Sequence, residues 1–320
     1  MILPALFNPS NDMALAANLR QYFPPKRIQQ MEDDLANLAN LWEEGPWGWS
    51  LATKQRYIRL GIPENELPTD EWLMALRLLS SRQFGVSYYK KLDEAYKPHR
   101  PNKSYETNGL VSCEARFCTS PQQLQFFTLH SSLLILKSPW SSSGRGNTVI
   151  NCKDDNINLI MKRAEHIIRE QGGIVAEPFY SNKTLDFAME FDVADDGVRF
   201  IGYSVFSADE MGHYGGNIVA GQDELLQLIG LPQTLLDSLI DYHQRELGKL
   251  SYRGPVGIDM MRLADGRVHP CVEINFRRTM GWLAMKVYER FGSTDLLLAG
   301  DRERGFSAFV ESNKLIISFN

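Results

Sequence analysis

The residues best suited to chemistry lie in one stretch, residues 257–281, which reads GIDMMRLADGRVHPCVEINFRRTMG. Apolar residues alternate as Val256, Ile258 and Met260, then as Val272, Ile274 and Phe276, the period of two half-buried strands. The other face carries Asp259, Glu273 and Asn275. Two carboxylates and a carboxamide on one face offer oxygen ligands for one or two hard cations. Register decides whether they meet. A three-residue loop, Ala264 to Gly266 with Gly266 at positive φ, pairs Leu263 with Arg267. Asp259 then faces Cys271, with Glu273 diagonally beside it at roughly 7–8 Å between Cα atoms. A two-residue turn would send the two carboxylates to opposite faces. An ordinary hairpin with a solvated acidic face shows the same alternation, so other stretches must separate the two readings.

A second stretch begins with Leu133 to Leu136, a buried strand ending in Lys137. It continues through Ser138, Pro139, Trp140, Ser141, Ser142, Ser143, Gly144, Arg145 and Gly146 into a new strand, Thr148 to Ile150. Small residues admit close backbone approach, and N–H and hydroxyl groups bind phosphate oxygens. Lys137 adds positive charge at the base of the loop. It is not a P-loop, because GxxxxGK[ST] is absent and a strand follows rather than a helix. A third stretch, Ile174 to Tyr180, is a strand stopped by Pro178, as at a hinge or crossover. The next strand, Leu185 to Val193, turns Phe187, Met189, Phe191 and Val193 to one side and Asp186, Glu190 and Asp192 to the other. After the strand Val198 to Phe206, a loop with His213, Tyr214 and Asn217 returns toward the sheet. His213 and Tyr214 are candidates for acceptor contact or proton transfer, against simple packing in a loop.

The elements that must hold these residues follow from the rest of the chain. With 320 residues, 43% of them apolar, it exceeds the size at which one core keeps growing, and two or three subdomains are expected. A net charge of −5 with no long basic run argues against a nucleic-acid surface. The first residues lack a basic n-region, and no apolar run reaches membrane-span length, so neither a signal peptide nor a membrane segment is expected. Four cysteines (Cys113, Cys118, Cys152, Cys271) without metal-ligand spacing point to a reduced, cytoplasmic protein. Leu3 to Phe7 reads as a short strand, with Asn11 or Asp12 capping a helix after it. Helices are expected at 28–42, 53–60 and 70–84, the last capped by Thr69 or Asp70. Others are expected at 155–171 and, on either side of Pro232, at 223–250. Ser120 and Gln123 form a capping box. Trp42, Trp47 and Trp49 are expected to pack against the next domain rather than to stack on a ligand.

In this order the stretches resemble the ATP-grasp superfamily. A strand ends in Lys137, and a Gly/Ser lid follows. A strand then ends in Glu177-Pro178-Phe179, and Asp186 opens the next. Last comes Asp259…Glu273-x-Asn275-x-Arg277. Biotin carboxylase and carbamoyl-phosphate synthetase share Glu-x-Asn-x-Arg, and D-alanine–D-alanine ligase shares the Asp…Glu-x-Asn core. The resemblance covers residues 75–320. It implies an α/β (α+β) fold with two α+β subdomains clamping ATP, residues 76–176 with the lid and 177–320 with the metal site. A small α/β domain at 1–75 precedes them.

By the same resemblance Lys137 contacts the ATP phosphates. Ser141, Ser142, Ser143, Gly144, Arg145 and Gly146 form the lid. Glu177 sits at the hinge by the adenine amino group, the backbone near Phe179 and Tyr180 reads the adenine edge, and Asp186 accepts from the ribose. Asp259, Glu273 and Asn275 hold two Mg²⁺, with Mn²⁺ as a substitute. Arg277 stabilises charge on the phosphoryl group, and Arg278 is a second candidate for the substrate carboxylate. The family's other phosphate-contacting lysine has no counterpart in a recognisable motif, which leaves Arg77, Arg82 or Lys90. The implied reaction joins a small-molecule carboxylate to an amine through an acyl phosphate, giving ADP and phosphate. A small-molecule kinase and a non-catalytic nucleotide-binding module are the alternatives. A homodimer is common among relatives.

Overall fold

A computed structural model describes residues 2–97, 109–141, 146–153, 157–209 and 213–319. The N-terminal unit is mostly helical. Leu3 to Phe7 is not a strand but a single parallel bridge, Leu6 to Pro46, because its partner is the short Gly/Pro-rich turn at residues 45–47, which is too short for a ladder. Helix α1 (Asn11–Ala17) starts after Ser10, so Asn11 and Asp12 lie inside its first turn rather than capping it. The expected helix at 28–42 divides into α2 (Lys26–Asp34) and a 3₁₀ turn, Ala36–Leu41. Helix α3 (Leu51–Arg59) is capped by Ser50, whose Oγ accepts from the Thr53 N–H, and α4 (Asp70–Leu79) by Thr69. Trp42 and Trp47 are buried in a core with Phe7, Leu283 and Val310, which joins this unit to the C-terminal strands.

The single helix expected at 70–84 breaks in two: α4 stops at Leu79, and Ser81 caps a further helix, α5 (Arg82–Tyr96), which takes residues 82–84 and runs on beyond them. Leu76, Tyr88, Tyr89 and Leu92 from these helices share a core with Phe187, Met189, Ile258 and Ile274.

Strand β1 (Arg116–Cys118) leads into α6 (Pro121–Leu129), β2 (Leu133–Lys137), β3 (Asn147–Asn151), α7 (Ile157–Gln171) and β4 (Ile174–Pro178). The strands form an antiparallel sheet in the order β1-β4-β2-β3. Leu124, Leu134, Leu136, Ile150 and Ala164 bury α6 and α7 against it. The Gln123 side chain accepts from the Thr119 N–H at 2.8 Å, one residue before the capping Ser120.

The second sheet begins with β5 (Lys183–Ala194), β6 (Gly197–Ala208) and β7 (Tyr214–Ile218). Helices α8 (Gln222–Ile229) and α9 (Gln233–Leu247) follow, separated at Pro232 as the sequence suggests. Then come β8 (Gly254–Leu263), β9 (Val268–Asn275), α10 (Met280–Phe291), β10 (Leu296–Gly300), β11 (Phe306–Glu311) and β12 (Lys314–Phe319). The order is β10-β11-β12-β7-β6-β5-β8-β9. Residues 214–218, expected in a loop, are strand β7, because β6 and β12 both supply pairing partners. Phe187, Met189 and Phe191 face the core, as their alternation requires, so Ala188 and Glu190 face the opposite side. Among the described residues no helix is long and apolar enough to cross a membrane.

Candidate active site

The hairpin β8–β9 sets the acidic end of the site. The Leu263 N–H donates to the Arg267 carbonyl at 2.8 Å, and Gly266 takes φ +82°, as the three-residue loop requires. The ladder then departs from simple alternation. Met261 pairs with His269, but Asp259 pairs with Glu273. Pro270 lies in the irregular segment; lacking an N–H, it cannot complete a regular ladder, and β9 bulges. The consequence corrects the expected geometry: Asp259 sits directly opposite Glu273 instead of opposite Cys271. The two carboxylates still share a face, because the shift is by an even number of residues. Asn275 Nδ2 donates to Asp259 Oδ2 at 3.1 Å.

A third carboxylate lies beside them. Glu190 on β5 pairs with Gly257 on β8 and is 2% exposed. Its Oε1 accepts from Thr279 Oγ1 at 2.7 Å and from Ser204 Oγ at 3.2 Å. Gly257 and Gly281 make room for it: a Cβ on Gly281 would lie 2.5 Å from Glu190 Oε1, and one on Gly257 2.8 Å from Oε2. Burial pushes the Glu190 carboxyl up to about 7, against the pull of the two hydroxyls and the Arg277 charge. Burial also raises Asp259 well above the carboxylate range, reinforced by the charges of Glu273 and Glu190. Sequence alternation placed Glu190 on the polar face of β5, but nothing in that strand tied it to Asp259.

From the small sheet, Lys137 and Glu177 are both buried and form an ion pair with each other. Arg82, at the start of α5, bridges the two sheets. Its Nη2 donates to both Glu273 oxygens at 2.9 and 3.0 Å, and its Nη1 to the Ser138 carbonyl and Ser141 Oγ, each at 2.6 Å. Of the three cations left open by the sequence, only Arg82 has these partners. Arg77 instead donates to the Leu15 carbonyl at 2.6 Å and lies 3.8 Å from the Trp140 ring centroid, while Lys90 lies further along α5. A gap of about 20 Å³ lined by Arg82, Lys137, Glu177, Cys271 and Glu273 remains between the sheets, too small for a nucleotide.

Adjacent arginines have different fates. Arg277 donates through Nε and Nη2 to Asp12, at 2.8 to 3.1 Å, and this pair holds its protonated form more firmly than usual despite burial. Arg278 turns away. Its guanidinium lies between Trp42 and Trp282, 5.2 Å from each ring centroid, and donates to the carbonyls of Pro46 and, at 2.9 Å, Glu44. The candidate role of Arg278 at a substrate carboxylate gains no support from this placement: Nη1 and Nη2 each donate to the N-terminal turn, and only the buried Nε lacks a partner.

Around the proposed adenine side, Phe179 continues the backbone ladder to Leu133, and Tyr180 packs edge-on against His269 at 5.8 Å. Burial and the Lys137 charge push His269 down to about 3. Asp186 is paired with Lys183 at 2.7 Å, and burial raises its carboxyl despite that pair. Gly146 sits at φ +91° with its carbonyl accepting from the Ser138 N–H. Ser142, Ser143, Gly144 and Arg145 lie outside the described residues. His213 pairs with Asp209 at 2.7 Å in an exposed position, and Tyr214 donates to Asn217 at 2.7 Å.

The donor set fits a magnesium-bound nucleotide. Among the described residues no three His, Cys, Asp or Glu side chains converge to cage a metal by themselves. Mg²⁺ does not need such a cage; it takes one or two carboxylates and fills its shell with water and phosphate oxygens. Asp259 and Glu273, paired across the ladder, would supply those carboxylates if a cation took the place of Arg82 at Glu273.

No family model and no curated protein matches the sequence. Solved structures do match in fold. Biotin carboxylase from Campylobacter jejuni, solved as a β,γ-ATP complex, aligns with a TM-score of 0.51 and 13% identity over 76% of this chain and 53% of that one. L-amino acid ligase from Bacillus licheniformis gives 0.42 and 18% over 70% and 45%, and N5-carboxyaminoimidazole synthetase from Staphylococcus aureus, complexed with ADP, 0.43 and 14% over 63% and 46%. The chain spans about half the length of these structures. The fold is the ATP-grasp fold, of the α+β class.

Proposed function

We propose that this protein is an ATP-dependent carboxylate–amine ligase of small molecules. The observation that carries the reading is the acidic hairpin placed against a cationic edge: Asp259, Glu273 and Asn275 on one side, Arg82 and Lys137 on the other. That is the charge arrangement a nucleotide triphosphate and its metal require. Asp259, Glu273 and Asn275 would hold Mg²⁺, two ions or Mn²⁺ in its place, which supplies charge neutralisation at the phosphates. Lys137 and Arg82 would bind phosphate oxygens, with Ser141 and Gly146 at the described edges of the lid. Glu177, Phe179, Tyr180 and Asp186 would take the nucleoside. The division at residues 75 and 176, a cytoplasmic location and a homodimer belong to the same proposal.

The substrate carboxylate attacks the γ-phosphorus, and the bond from that phosphorus to the bridging oxygen of ADP breaks. The amine then attacks the acyl carbon, phosphate leaves, and the amine loses its proton. Arg277, held by Asp12, stabilises the charge on the phosphoryl oxygens. Binding requires the two sheets to part, since the present gap between them is too small. The test is ADP release with Mg²⁺ and pooled amino acids, peptides and amines, scored with free phosphate and product mass. Phosphate with a condensed product supports the ligase. A phosphorylated product without free phosphate replaces it with a kinase.

A further inference from the structure

The cavity on the open face of the large sheet carries a polarity gradient with no counterpart in the motifs. It has a volume of about 430 Å³, within the range of roughly 300–1,000 Å³ that takes small ligands. Its floor can be followed strand by strand from the sheet order β11-β12-β7-β6-β5-β8-β9. At one end, β9 and β8 contribute Glu273, Asn275 and Asp259, and β5 contributes Glu190. In the middle, β6 and β7 contribute Ser204 and Asn217. At the far end, β12 and β11 contribute Ile317 and Phe306. The roof over that far end comes from the N-terminal unit, through Phe7, Ile28 and Met31. From β5 to β12 is three strand spacings, about 14 Å.

Each end asks for a different group. Glu190 accepts two hydroxyl hydrogen bonds on Oε1, and among the described residues no hydrogen bond reaches Oε2. A buried carboxylate left with a free oxygen in a cavity is matched by a cation with N–H donors, such as an ammonium. The next strand over, β8, holds the proposed metal and phosphoryl position, where a carboxylate would react. The far end presents the apolar side chains Phe306, Ile317, Ile28 and Met31, and its two sides come from opposite ends of the chain.

We propose that the carboxylate substrate is an α-amino acid with a bulky apolar side chain, its ammonium at Glu190 and its side chain between Ile317 and Met31; this rests on the ligase reading of the same site. The carboxylates disfavour an acidic side chain, and the apolar far end favours a large apolar side chain over a small one, which buries less surface. Glu190 is a substrate-binding residue in this arrangement, and Met31 and Ile317 set specificity.

The experiment is calorimetric titration of the full chain with L-phenylalanine, L-leucine, L-alanine, L-glutamate and N-acetyl-L-phenylalanine, each with and without Mg²⁺ and a non-hydrolysable ATP analogue. The analogue is titrated separately. Phenylalanine and leucine are expected to bind at least tenfold more tightly than alanine, and N-acetyl-phenylalanine and glutamate to show no binding. Ile317→Asp should weaken phenylalanine at least tenfold and leave the analogue's affinity unchanged, and Glu190→Gln should weaken it similarly. The wild-type size series decides the matter if either variant fails to fold. Equal affinity for alanine and phenylalanine, retained binding of the N-acetyl derivative, or no amino acid binding beside intact analogue binding overturns the proposal and leaves the ligase reading standing. Amino acid binding with no analogue binding supports the site and overturns the ligase reading.

Discussion

The small and the large sheet meet with charge of different kinds. On the small sheet, Lys137 and Glu177 are buried as a pair, and each satisfies the other. On the large sheet, Asp259, Glu273 and Glu190 gather on one face with cations only at the edges, Arg82 to Glu273 and Arg277 to Asp12. Burial raises both Asp259 and Glu190 toward protonation, and for Asp259 the charges of Glu273 and Glu190 add to it. The difference teaches where a ligand is needed. The small sheet's buried charges balance as a pair that a bound nucleotide would have to exchange, whereas on the large sheet burial holds Asp259 and Glu190 toward their protonated forms, and a divalent cation would favour the ionised ones.

The sharpest way to break that comparison is to remove one charge from each side. Lys137→Ala and Glu273→Ala should each reduce Mg-ATP turnover at least ~1,000-fold, in line with the loss of charge stabilisation at phosphoryl groups. Their stabilities should differ. Lys137→Ala leaves Glu177 buried and unpaired, at a cost of about 3 kcal/mol. Glu273→Ala takes the carboxylate from buried Arg82 but removes a like charge from Asp259 and leaves Arg82 its bonds to Ser138 and Ser141, so in thermal unfolding it should destabilise less than Lys137→Ala. Equal destabilisation of the two variants would mean that the acidic cluster is not under-compensated.

The next effect separates the two arginines. Asp12→Ala leaves Arg277 without its carboxylate, and a loss of about 3 kcal/mol with a large fall in kcat is expected. Arg278→Ala should lower the unfolding temperature through the N-terminal turn while kcat changes less than about threefold, since its donors reach only Pro46 and Glu44. Steady-state kinetics beside thermal melts would show whether both arginines instead act on the reaction. Arg82→Ala should raise the KM for ATP about tenfold or more, as loss of a charged phosphate contact does, with little change in fold.

The effect spread over the widest range of conditions is a pH dependence. Glu190 has a folded value of about 7, above the ordinary carboxylate value of 4.5. The native state therefore binds more protons than the unfolded chain between those values, so stability falls as pH rises through that window and levels off above it, by about 3 kcal/mol in total. His243 and His269, held near 3 by burial, act in the opposite sense, losing stability as pH falls below about 6.5. The measurable quantity is thus the difference between wild type and Glu190→Gln in melts from pH 4 to 8. A parallel pair of curves would show that Glu190 does not titrate in this window.

Much of the site was legible because its signals are local. Strand ends at Lys137 and Pro178, the Asp265-Gly266 turn, and the caps at Thr69 and Ser120 each depend on a few neighbouring residues. The alternation along β5 assigned Phe187 to the core and Glu190 to the other face without reference to any partner. Beyond residue 84, and at its separation from α4, helix α5 escaped because Gly85 and two polar stretches interrupt its apolar stripe, although Ser81 caps its start. Strand β7 escaped because a glycine-rich segment has no pattern until β12 lies beside it.

By itself, the sequence determined most of the elements, which face of strands such as β5 is apolar, and the order of the chemical groups along the chain. Turn chemistry, capping and periodicity act over a few residues, so those features need no knowledge of the rest. Tertiary structure alone decided which groups meet. Arg82 reaches Glu273 across 191 residues, and Arg277 reaches Asp12 across 265. Asp259 faces Glu273 because β9 bulges at Pro270, and Arg278 turns away because Trp42 and Trp282 enclose it. Such pairings depend on how buried surfaces pack and which charges must be matched once water is excluded, and no spacing within one segment encodes them.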